Sequence, residues 1–224
     1  MAITLRSSKE IDQICNAGRV VADVLLKLQE MAAPGISTAE LNEAAVRMTE
    51  QAGAEPLFKG VYNPAAKIPF PGVICASLNE QIVHGIPSPD CLTKEGDIIS
   101  IDYGIRLDGY CSDAAVTTGV GEISRSDRRI IEVTKRTLEI AIARSGPGIK
   151  WSTVAAEMQD YAEKEGYAVV TEYVGHGIGE KMHEEPRVPN FVSAELLEND
   201  ILLQEGMFLA VEPMINAGSA ATRT

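Results

Sequence analysis

The chain has 224 residues, of which 45% are hydrophobic and 23% charged, and its formal net charge is −12. This length and composition are typical of a globular protein with a large hydrophobic core, and they exclude a low-complexity chain. The acidic balance argues against a nucleic-acid-binding protein, because an acidic surface repels phosphate and no run of lysine and arginine offsets it.

The cysteines and the N-terminus indicate the compartment. The four cysteines include no CxxC pair, so we predict reduced thiols rather than a disulfide framework. The N-terminus lacks a cationic segment followed by an apolar core, and no apolar run is long enough to cross a bilayer. We therefore expect a cytoplasmic protein without a membrane-spanning segment.

Two helices are predicted at the start of the chain. Hydrophobic residues recur at helical spacing from a cap at Ser7 or Ser8, and Pro34-Gly35 ends this first helix. The tetrapeptide from Ser37 to Glu40 is a capping box, with a hydroxyl at the cap and a glutamate three residues later. It predicts a second helix that ends at Gly53.

The stretch from Leu57 to Pro71 is predicted to be irregular, because it contains three prolines (64, 69 and 71) with three aromatic residues (58, 62 and 70) among them. It is either a surface loop held by aromatic anchors or one wall of a pocket, since loops often carry specificity. A short strand from Gly72 to Ser77, a turn at Asn79-Glu80 and a second extended run from Gln81 to Pro87 are predicted to follow.

A β-hairpin is predicted within residues 98–118. Two β-rich runs meet at Asp108-Gly109, a dipeptide typical of a two-residue hairpin turn. If Leu107 and Tyr110 flank this turn, the register of every other pair in the hairpin is fixed.

That register places two carboxylates on one face of the hairpin. Asp102 pairs with Ala115, and Asp113 lies diagonal to Asp102, with about 7–8 Å between the backbones. Two carboxylates directed at one point repel each other unless a cation or a proton lies between them. The hairpin alone leaves two interpretations open, a metal site and an aspartate exposed at a turn or edge.

Two further helices are predicted in the second half. A third helix begins at Ser126 or Asp127 and extends to about Arg144. Its apolar spacing predicts a buried side formed by Ile131, Thr134, Leu138 and Ile142. A fourth helix is predicted from Thr153 to about Glu165, followed by strand-like runs.

The chain shows an internal duplication. A long helix, a Pro-Gly-Ile stop, a shorter helix and a terminal glycine occur twice, and the two prolines, Pro34 and Pro147, are 113 residues apart. We therefore predict an α+β fold in which helix-helix-strand halves are arranged pseudo-symmetrically around a central antiparallel sheet. The helices would cover one face of this sheet, with a site between the halves.

Each of the three histidines, His84, His176 and His183, lies in a short run with glycine or proline nearby. Glycine allows a backbone to bring a side chain into a cleft, although a single histidine is more often structural or solvated than functional. His176 lies between two glycines, which is the context expected of a metal ligand on a sharp turn.

A carboxylate at the end of an apolar run extends this set of candidates. Glu212 directly precedes Pro213, and a buried charge at this position needs a partner. Together with Asp102, Asp113 and His176 it gives an oxygen-rich set that suits Mn, Fe or Co better than a structural zinc. Several carboxylates beside one histidine fit a two-metal site. The alternatives are a cap or turn role for Asp113 and a lysine or arginine partner for Glu212.

Four segments together resemble the type I methionine aminopeptidases: NEQIVHGIP (79–87), SIDYGIRLDGYCSDAAVT (100–117), GHGIGEKMHEEP (175–186) and MFLAVEPMINAG (207–218). The resemblance extends along the chain from Ile3 onward, in order and without a large insertion. The third segment is also similar to prolidases and proline-specific aminopeptidases, which share the pita-bread (creatinase/aminopeptidase) fold. The first segment favours the methionine enzymes.

The resemblance implies a metal centre and a catalytic base. Two divalent ions (Co, Mn, Fe or Zn) would be held by four side chains: Asp102, Asp113, His176 and Glu212. Asp113 takes the place of a bridging carboxylate. A metal-bound water would attack the carbonyl of the first peptide bond, and Glu212 would accept its proton.

The resemblance also implies a substrate site. His84 and His183 would hydrogen-bond the scissile amide and stabilise the developing oxyanion. Cys75 and Phe70 match the pocket that receives the methionine side chain, which favours a narrow apolar slot with sulfur and aromatic contacts.

Three departures from the family pattern are visible, and one is that the loop 57–70 is longer and more proline-rich than in the shortest members, so that Tyr62 and Lys67 cannot be aligned. The family has a fifth ligand, a second glutamate on a C-terminal strand, and this chain ends at Thr224 before it. We therefore expect residues 1–224 to be a single catalytic domain that lacks its C-terminal strands, either as a fragment or as a protein with an incomplete site. We favour the fragment, because a layer without its final strands would expose a sheet edge. Met182 stands where an aromatic residue usually precedes the second histidine.

The function implied is metal-dependent removal of the initiator methionine from nascent polypeptides with a small second residue. Nascent peptide N-termini would be the partners, the resemblance implies a monomer, and the sequence leaves ribosome contact open. A prolidase-like Xaa-Pro peptidase is the alternative enzyme. A non-catalytic pita-bread binding protein is the alternative from another class.

Overall fold

The computed structural model describes residues 3–62 and 68–223. The helices are α1 (Ser8–Met31), α2 (Thr38–Gln51), α3 (Arg125–Arg144), α4 (Trp151–Lys164) and α5 (Ala194–Glu198). The strands are β1 (Glu55–Pro56), β2 (Ile74–Leu78), β3 (Ile98–Leu107), β4 (Tyr110–Gly119), β5 (Ala168–Val169), β6 (Gly175–Gly177), β7 (Glu184–Val188), β8 (Leu209–Ala210) and β9 (Ile215–Asn216). None of the described helices combines the length and apolar character that a membrane span requires.

The chain forms two compact units. We call Lys9–Asp127 with Gly179–Met182 the N-terminal unit. We call Met1–Ser8, Arg128–Ile178 and His183–Thr224 the C-terminal unit. The prediction of a single catalytic domain stays a prediction.

The N-terminal unit contains a four-stranded antiparallel sheet in which β3 pairs with β1, β2 and β4. Side chains of α1, α2 and the sheet form one buried core, which includes Leu28, Leu41, Ile99 and Tyr103. The predicted capping box of α2 is present, with reciprocal hydrogen bonds between Ser37 and Glu40.

The predicted hairpin register is confirmed. Leu107 pairs with Tyr110, and Asp102 pairs with Ala115. Asp108 and Gly109 have positive φ angles of 50° and 87°, as the turn type favoured by Asp-Gly requires.

The C-terminal unit contains a three-stranded sheet in the order β7-β6-β8 and a two-stranded sheet of β5 and β9. Its largest core cluster surrounds the fully buried Trp151 at the start of α4. A smaller cluster joins Val133 of α3 to Ala162 of α4 and to Val169 and Ile215 in the two-stranded sheet.

The two halves repeat the same backbone contacts, as the predicted duplication requires. Gly35 and Gly148, which follow the two prolines, have φ angles of 91° and 84°. Gly35 N–H donates to Thr93 O and Gly148 N–H donates to Leu203 O, both at 2.8 Å. Equivalent isolated bridges join the start of each second helix to a later segment: Ser37 with Leu92 and Lys150 with Leu202.

The predicted buried side of α3 is wrong. The buried residues are Val133, Thr137 and Ala141, whereas Ile142 is 70% exposed. Both sets recur at helical spacing, so periodicity alone does not distinguish them. Ala141 packs in the cluster around Trp151, and Val133 packs with Ala162, Val169 and Ile215, so the tertiary contacts select this face.

The extended run predicted at residues 81–87 forms no strand, although the strand predicted before it is present as β2. His84 adopts a left-handed φ of 60°, which a continuing strand cannot accommodate. In the irregular stretch 57–71, residues 63–67 lie outside the described part of the chain.

Asp200 stabilises the first turn of α4 in a pH-dependent way. Its carboxylate accepts hydrogen bonds from Ser152 N–H at 3.0 Å and Ser152 Oγ at 2.6 Å. Burial opposes ionisation of Asp200, but these hydrogen bonds and the charge of Lys150 outweigh it and lower the pKa. The stabilisation is therefore present at neutral pH and is lost as the pH falls through the depressed pKa of the folded state.

Replacing Asp200 by asparagine is expected to lower the free energy of unfolding by about 1 kcal/mol at pH 7. Urea unfolding of the wild type and Asp200→Asn at pH 7 and pH 3 measures this difference. The difference in free energy of unfolding between the two proteins should be smaller at pH 3, because the wild-type Asp200 also begins to lose its charge there. An equal difference at pH 7 and pH 3 would contradict the stabilisation of α4 by the ionised Asp200.

Candidate metal and substrate site

The two predicted aspartate ligands lie on neighbouring strands of the N-terminal unit. Asp113 on β4 pairs with Gly104 on β3, two residues from Asp102, so both carboxylates are on the same face, as predicted. A Cβ atom at position 104 would lie 3.3 Å from Asp113 Oδ1. The missing side chain of Gly104 therefore leaves space for the Asp113 carboxylate.

Cys75 lies beside these carboxylates. It pairs with Asp102 across β2 and β3 and is 5% exposed. Burial raises the pKa of the Cys75 thiol far above its ordinary value, the charges of Asp102 and Asp113 raise it further, and a hydrogen bond from His84 N–H opposes them. The N-terminal unit thus brings four predicted residues together: Cys75, His84, Asp102 and Asp113.

The buried thiol of Cys75 is expected to resist alkylation. Iodoacetamide at pH 8 should modify Cys15, which is exposed on α1, and leave the buried Cys75 and Cys111 unmodified until the protein is unfolded. Mass spectrometry of digested peptides measures each site separately. Alkylation of native Cys75 at the rate of Cys15 would contradict its placement.

His84 is held in a strained conformation. Its φ of 60° is unusual for a residue other than glycine and costs about 1–3 kcal/mol. The next residue is fixed, because Gly85 N–H donates to Ser77 Oγ at 3.0 Å and Ala76 N–H donates to Gly85 O at 2.9 Å. His84 is exposed to solvent as a residue, yet partial burial lowers the pKa of its imidazole and so favours the neutral ring at pH 7.

His176 lies in a strand rather than on the sharp turn that we expected. It is the central residue of β6 and is 9% exposed. Cβ atoms at Gly175 and Gly177 would lie 2.1 Å from Ala210 O and 2.2 Å from Glu185 O. The flanking glycines are therefore required by the close approach of neighbouring backbones and not by a turn.

The hydrogen bonds of His176 orient its ring for metal binding. Nδ1 lies 2.8 Å from Gly177 O, and because a carbonyl only accepts, Nδ1 carries the proton. In the neutral ring the lone pair of Nε2 then faces Glu212 Oε1 at 3.4 Å. Two electron-pair donors that face each other at this distance suit a cation, and the Nδ1 contact is of the kind that fixes metal-binding histidines.

His183 lies next to His176 in the same unit. The two ring centroids are 4.3 Å apart and the ring planes meet at 79°. The following residue, Glu184 at the start of β7, forms an ion pair of 2.5 Å with Arg6, whose side chain is only 4% exposed. Arg6 N–H also donates to Gly206 O at 2.8 Å, so the N-terminal segment holds the backbone beside His183.

The remaining predicted site residue is Phe70. Phe70 is half-buried on a loop, where its N–H donates to Val61 O and its carbonyl accepts from Gly60, each at 2.8 Å. In residues 3–62 and 68–223 no group of three or more His, Cys, Asp or Glu side chains converges on one ion position. The prediction that four ligands share a metal centre therefore stays a prediction, although the chemistry of the donor set fits divalent ions.

Comparison with known proteins identifies the class. Residues 12–222 match the model of metallopeptidase family M24, and the chain therefore belongs to this family. Methionine aminopeptidase 1 of Bacillus subtilis is 43% identical over 222 residues, which cover 99% of this chain and 86% of that protein. Metallopeptidases of this family depend on divalent metal ions, as predicted.

Solved structures establish the fold. Methionine aminopeptidase from Thermotoga maritima superposes with a TM-score of 0.91 at 34% identity, covering 98% of this chain and 85% of that chain. An X-Pro aminopeptidase from the same organism has a TM-score of 0.75 at 20% identity, covering 96% and 56%, which is a likeness of fold alone. The predicted pita-bread fold is thereby confirmed.

Proposed function

We propose that the chain is a methionine aminopeptidase that removes the N-terminal methionine from polypeptides with a small second residue. The proposal rests on similarity to proteins that are named for this activity. Methionine aminopeptidase 1 of Bacillus subtilis is 43% identical over 99% of this chain. The assignment of single residues rests on the sequence motifs and on the geometry within each unit.

We propose that two divalent ions, from among Co, Mn, Fe and Zn, are held by Asp102, Asp113, His176 and Glu212. The shared face of Asp102 and Asp113 and the 3.4 Å approach of His176 Nε2 to Glu212 Oε1 support this set. When bound, such ions supply the Lewis acidity that lowers the pKa of a water and polarises a carbonyl.

Three side chains would accept the proton of the attacking water and stabilise the negative charge that develops on the amide oxygen. Glu212 is the proposed acceptor of the proton released by the attacking water. His84 stays neutral at pH 7 because its pKa is lowered, so it serves as a hydrogen-bond partner of the scissile amide without adding charge. His183, beside His176, would donate to the oxygen of that amide as negative charge develops.

Cys75 and Phe70 would form the slot for the methionine side chain. A thiol with a strongly raised pKa stays protonated, so Cys75 would offer a small, polarisable surface to a thioether rather than a negative ligand to a metal. The half-buried Phe70 would add an aromatic wall.

We propose the cytoplasm as the compartment, nascent peptide N-termini as the partners and a monomer as the working form. These proposals follow from the reduced cysteines and from the family resemblance. Contact with the ribosome is an extension of the same proposal, because initiator methionine is removed from nascent chains.

Peptide specificity separates the proposed function from its alternatives. Protein supplied with Mn²⁺ or Co²⁺ is incubated with Met-Ala-Ser and with Ala-Pro-Ser, and released amino acids are quantified. Release of methionine from the first peptide alone is expected. Release of alanine from the second would favour the prolidase-like activity, and release from neither by folded protein would favour the binding protein.

A further inference from the structure

Asn190 is a fully buried polar residue that the proposed mechanism does not use. It follows β7 and is 0% exposed. Its Nδ2 donates a hydrogen bond of 2.8 Å to the backbone carbonyl of Glu212. The contact therefore joins a buried side chain to the backbone of a proposed metal ligand 22 residues away.

The loop that carries Asn190 is fixed against α4 on both sides of this residue. Pro189 O accepts a hydrogen bond of 2.7 Å from Trp151 Nε1, and Val192 N–H donates one of 2.9 Å to Gln159 Oε1. Trp151 is itself fully buried. The Asn190 amide is thus presented by a rigid frame rather than by a mobile loop.

Glu212 needs such a fixed contact, because it lies between β8 and β9 and outside the sheet ladders. Pro213 restricts the backbone of the preceding residue to extended conformations but leaves rotation within that region. A hydrogen bond to the Glu212 carbonyl removes part of this freedom. The Glu212 carboxylate carried by this backbone has its Oε1 atom 3.4 Å from His176 Nε2.

The Oδ1 atom of Asn190 is in a less favourable environment than its Nδ2 atom. Oδ1 is buried and accepts no hydrogen bond from the described residues. A buried acceptor without a partner is unfavourable, so the Nδ2 contact with Glu212 O is made together with a cost at Oδ1.

We propose that Asn190 is a positioning residue that sets Glu212 for metal binding through its backbone carbonyl. The inference rests on the proposed function, since it takes Glu212 as a ligand. It predicts that the loss of the Asn190 donor weakens metal binding by about ten- to a hundredfold, the range seen when supporting hydrogen bonds of metal ligands are removed.

The test measures Mn²⁺ affinity by calorimetry on metal-stripped full chain, together with urea unfolding of the metal-free protein. Asn190→Leu is the main variant, and Asn190→Ser replaces it if the leucine variant does not fold. Asn216→Leu is the matched control, because Asn216 Nδ2 also donates to a carbonyl in this unit, that of Ser219 at 3.1 Å.

The expected result is a ten- to hundredfold rise in the Mn²⁺ dissociation constant for the Asn190 variant, with little change in the metal-free unfolding midpoint and no change in affinity for the control. An affinity within twofold of the wild type would overturn the positioning role. An equal loss in the control would overturn it too. A wild type that binds no Mn²⁺ would instead contradict the proposed function, and the inference with it.

Discussion

Asp113→Asn is expected to reduce metal-dependent methionine release by about a thousandfold or more, and Asp102→Asn by a similar factor. The carboxylates lie on one face of the β3–β4 hairpin, and we propose both as metal ligands. An amide keeps the size of the side chain but removes the charge that holds a divalent ion, and the lost Lewis acidity is worth several kcal/mol of transition-state stabilisation. Steady-state release from Met-Ala-Ser at saturating Mn²⁺ measures the effect.

The same hairpin offers a control for these two substitutions. Asp108 is exposed at the turn and has a φ of 50°, a conformation that asparagine tolerates well. Asp108→Asn removes one carboxylate from the hairpin without touching the proposed ligands, so it should retain the wild-type rate. Metal-dependent release by Asp113→Asn within tenfold of the wild type would refute its role as a ligand.

Gly177→Ala is expected to lower the free energy of unfolding by about 3 kcal/mol or more and to disturb the proposed metal ligand beside it. The added Cβ would lie 2.2 Å from Glu185 O and 3.1 Å from Glu184 O, both backbone atoms of β7. Backbone atoms of a paired strand cannot move aside as a flexible side chain can. The clash is therefore relieved only if β6 and β7 separate. Because His176 lies in β6, this separation would move it as well.

Gly146→Ala is the matched substitution in the same unit. Nothing lies within 4 Å of a Cβ at this position, and its φ is outside the left-handed region. The variant should unfold at the wild-type urea concentration, or slightly higher because alanine restricts the unfolded chain. Equal midpoints for Gly177→Ala and Gly146→Ala would show that the close approach of β6 and β7 does not constrain the fold.

Local signals predicted the parts of the fold that depend on neighbouring residues. Asp108-Gly109 specifies its own turn, and the turn then fixes the register that aligns Asp102 and Asp113. The capping box from Ser37 to Glu40 likewise depends on four consecutive residues. The repeated Pro-Gly stops, which identified the duplication, are also signals formed by neighbouring residues.

Features that depend on contacts between residues far apart in the chain could not be predicted from the sequence. The glycines around His176 predicted a turn, whereas they admit the backbones at Ala210 and Glu185 on either side of a strand. The ion pair of Arg6 and Glu184 joins residues 178 positions apart, and although Glu184 lies in the segment 175–186, nothing in the sequence indicates Arg6 as its partner. Asn190 gave no signal either, since asparagine after a proline is common in loops.

The most direct test of the central claim is methionine release from Met-Ala-Ser by metal-stripped protein as Mn²⁺ is titrated in. A metal-dependent aminopeptidase predicts no release before addition, release that rises with Mn²⁺ and saturates, and loss of release when a chelator is added. No release from folded protein with bound Mn²⁺ would contradict the claim, as would release that is unchanged by the chelator.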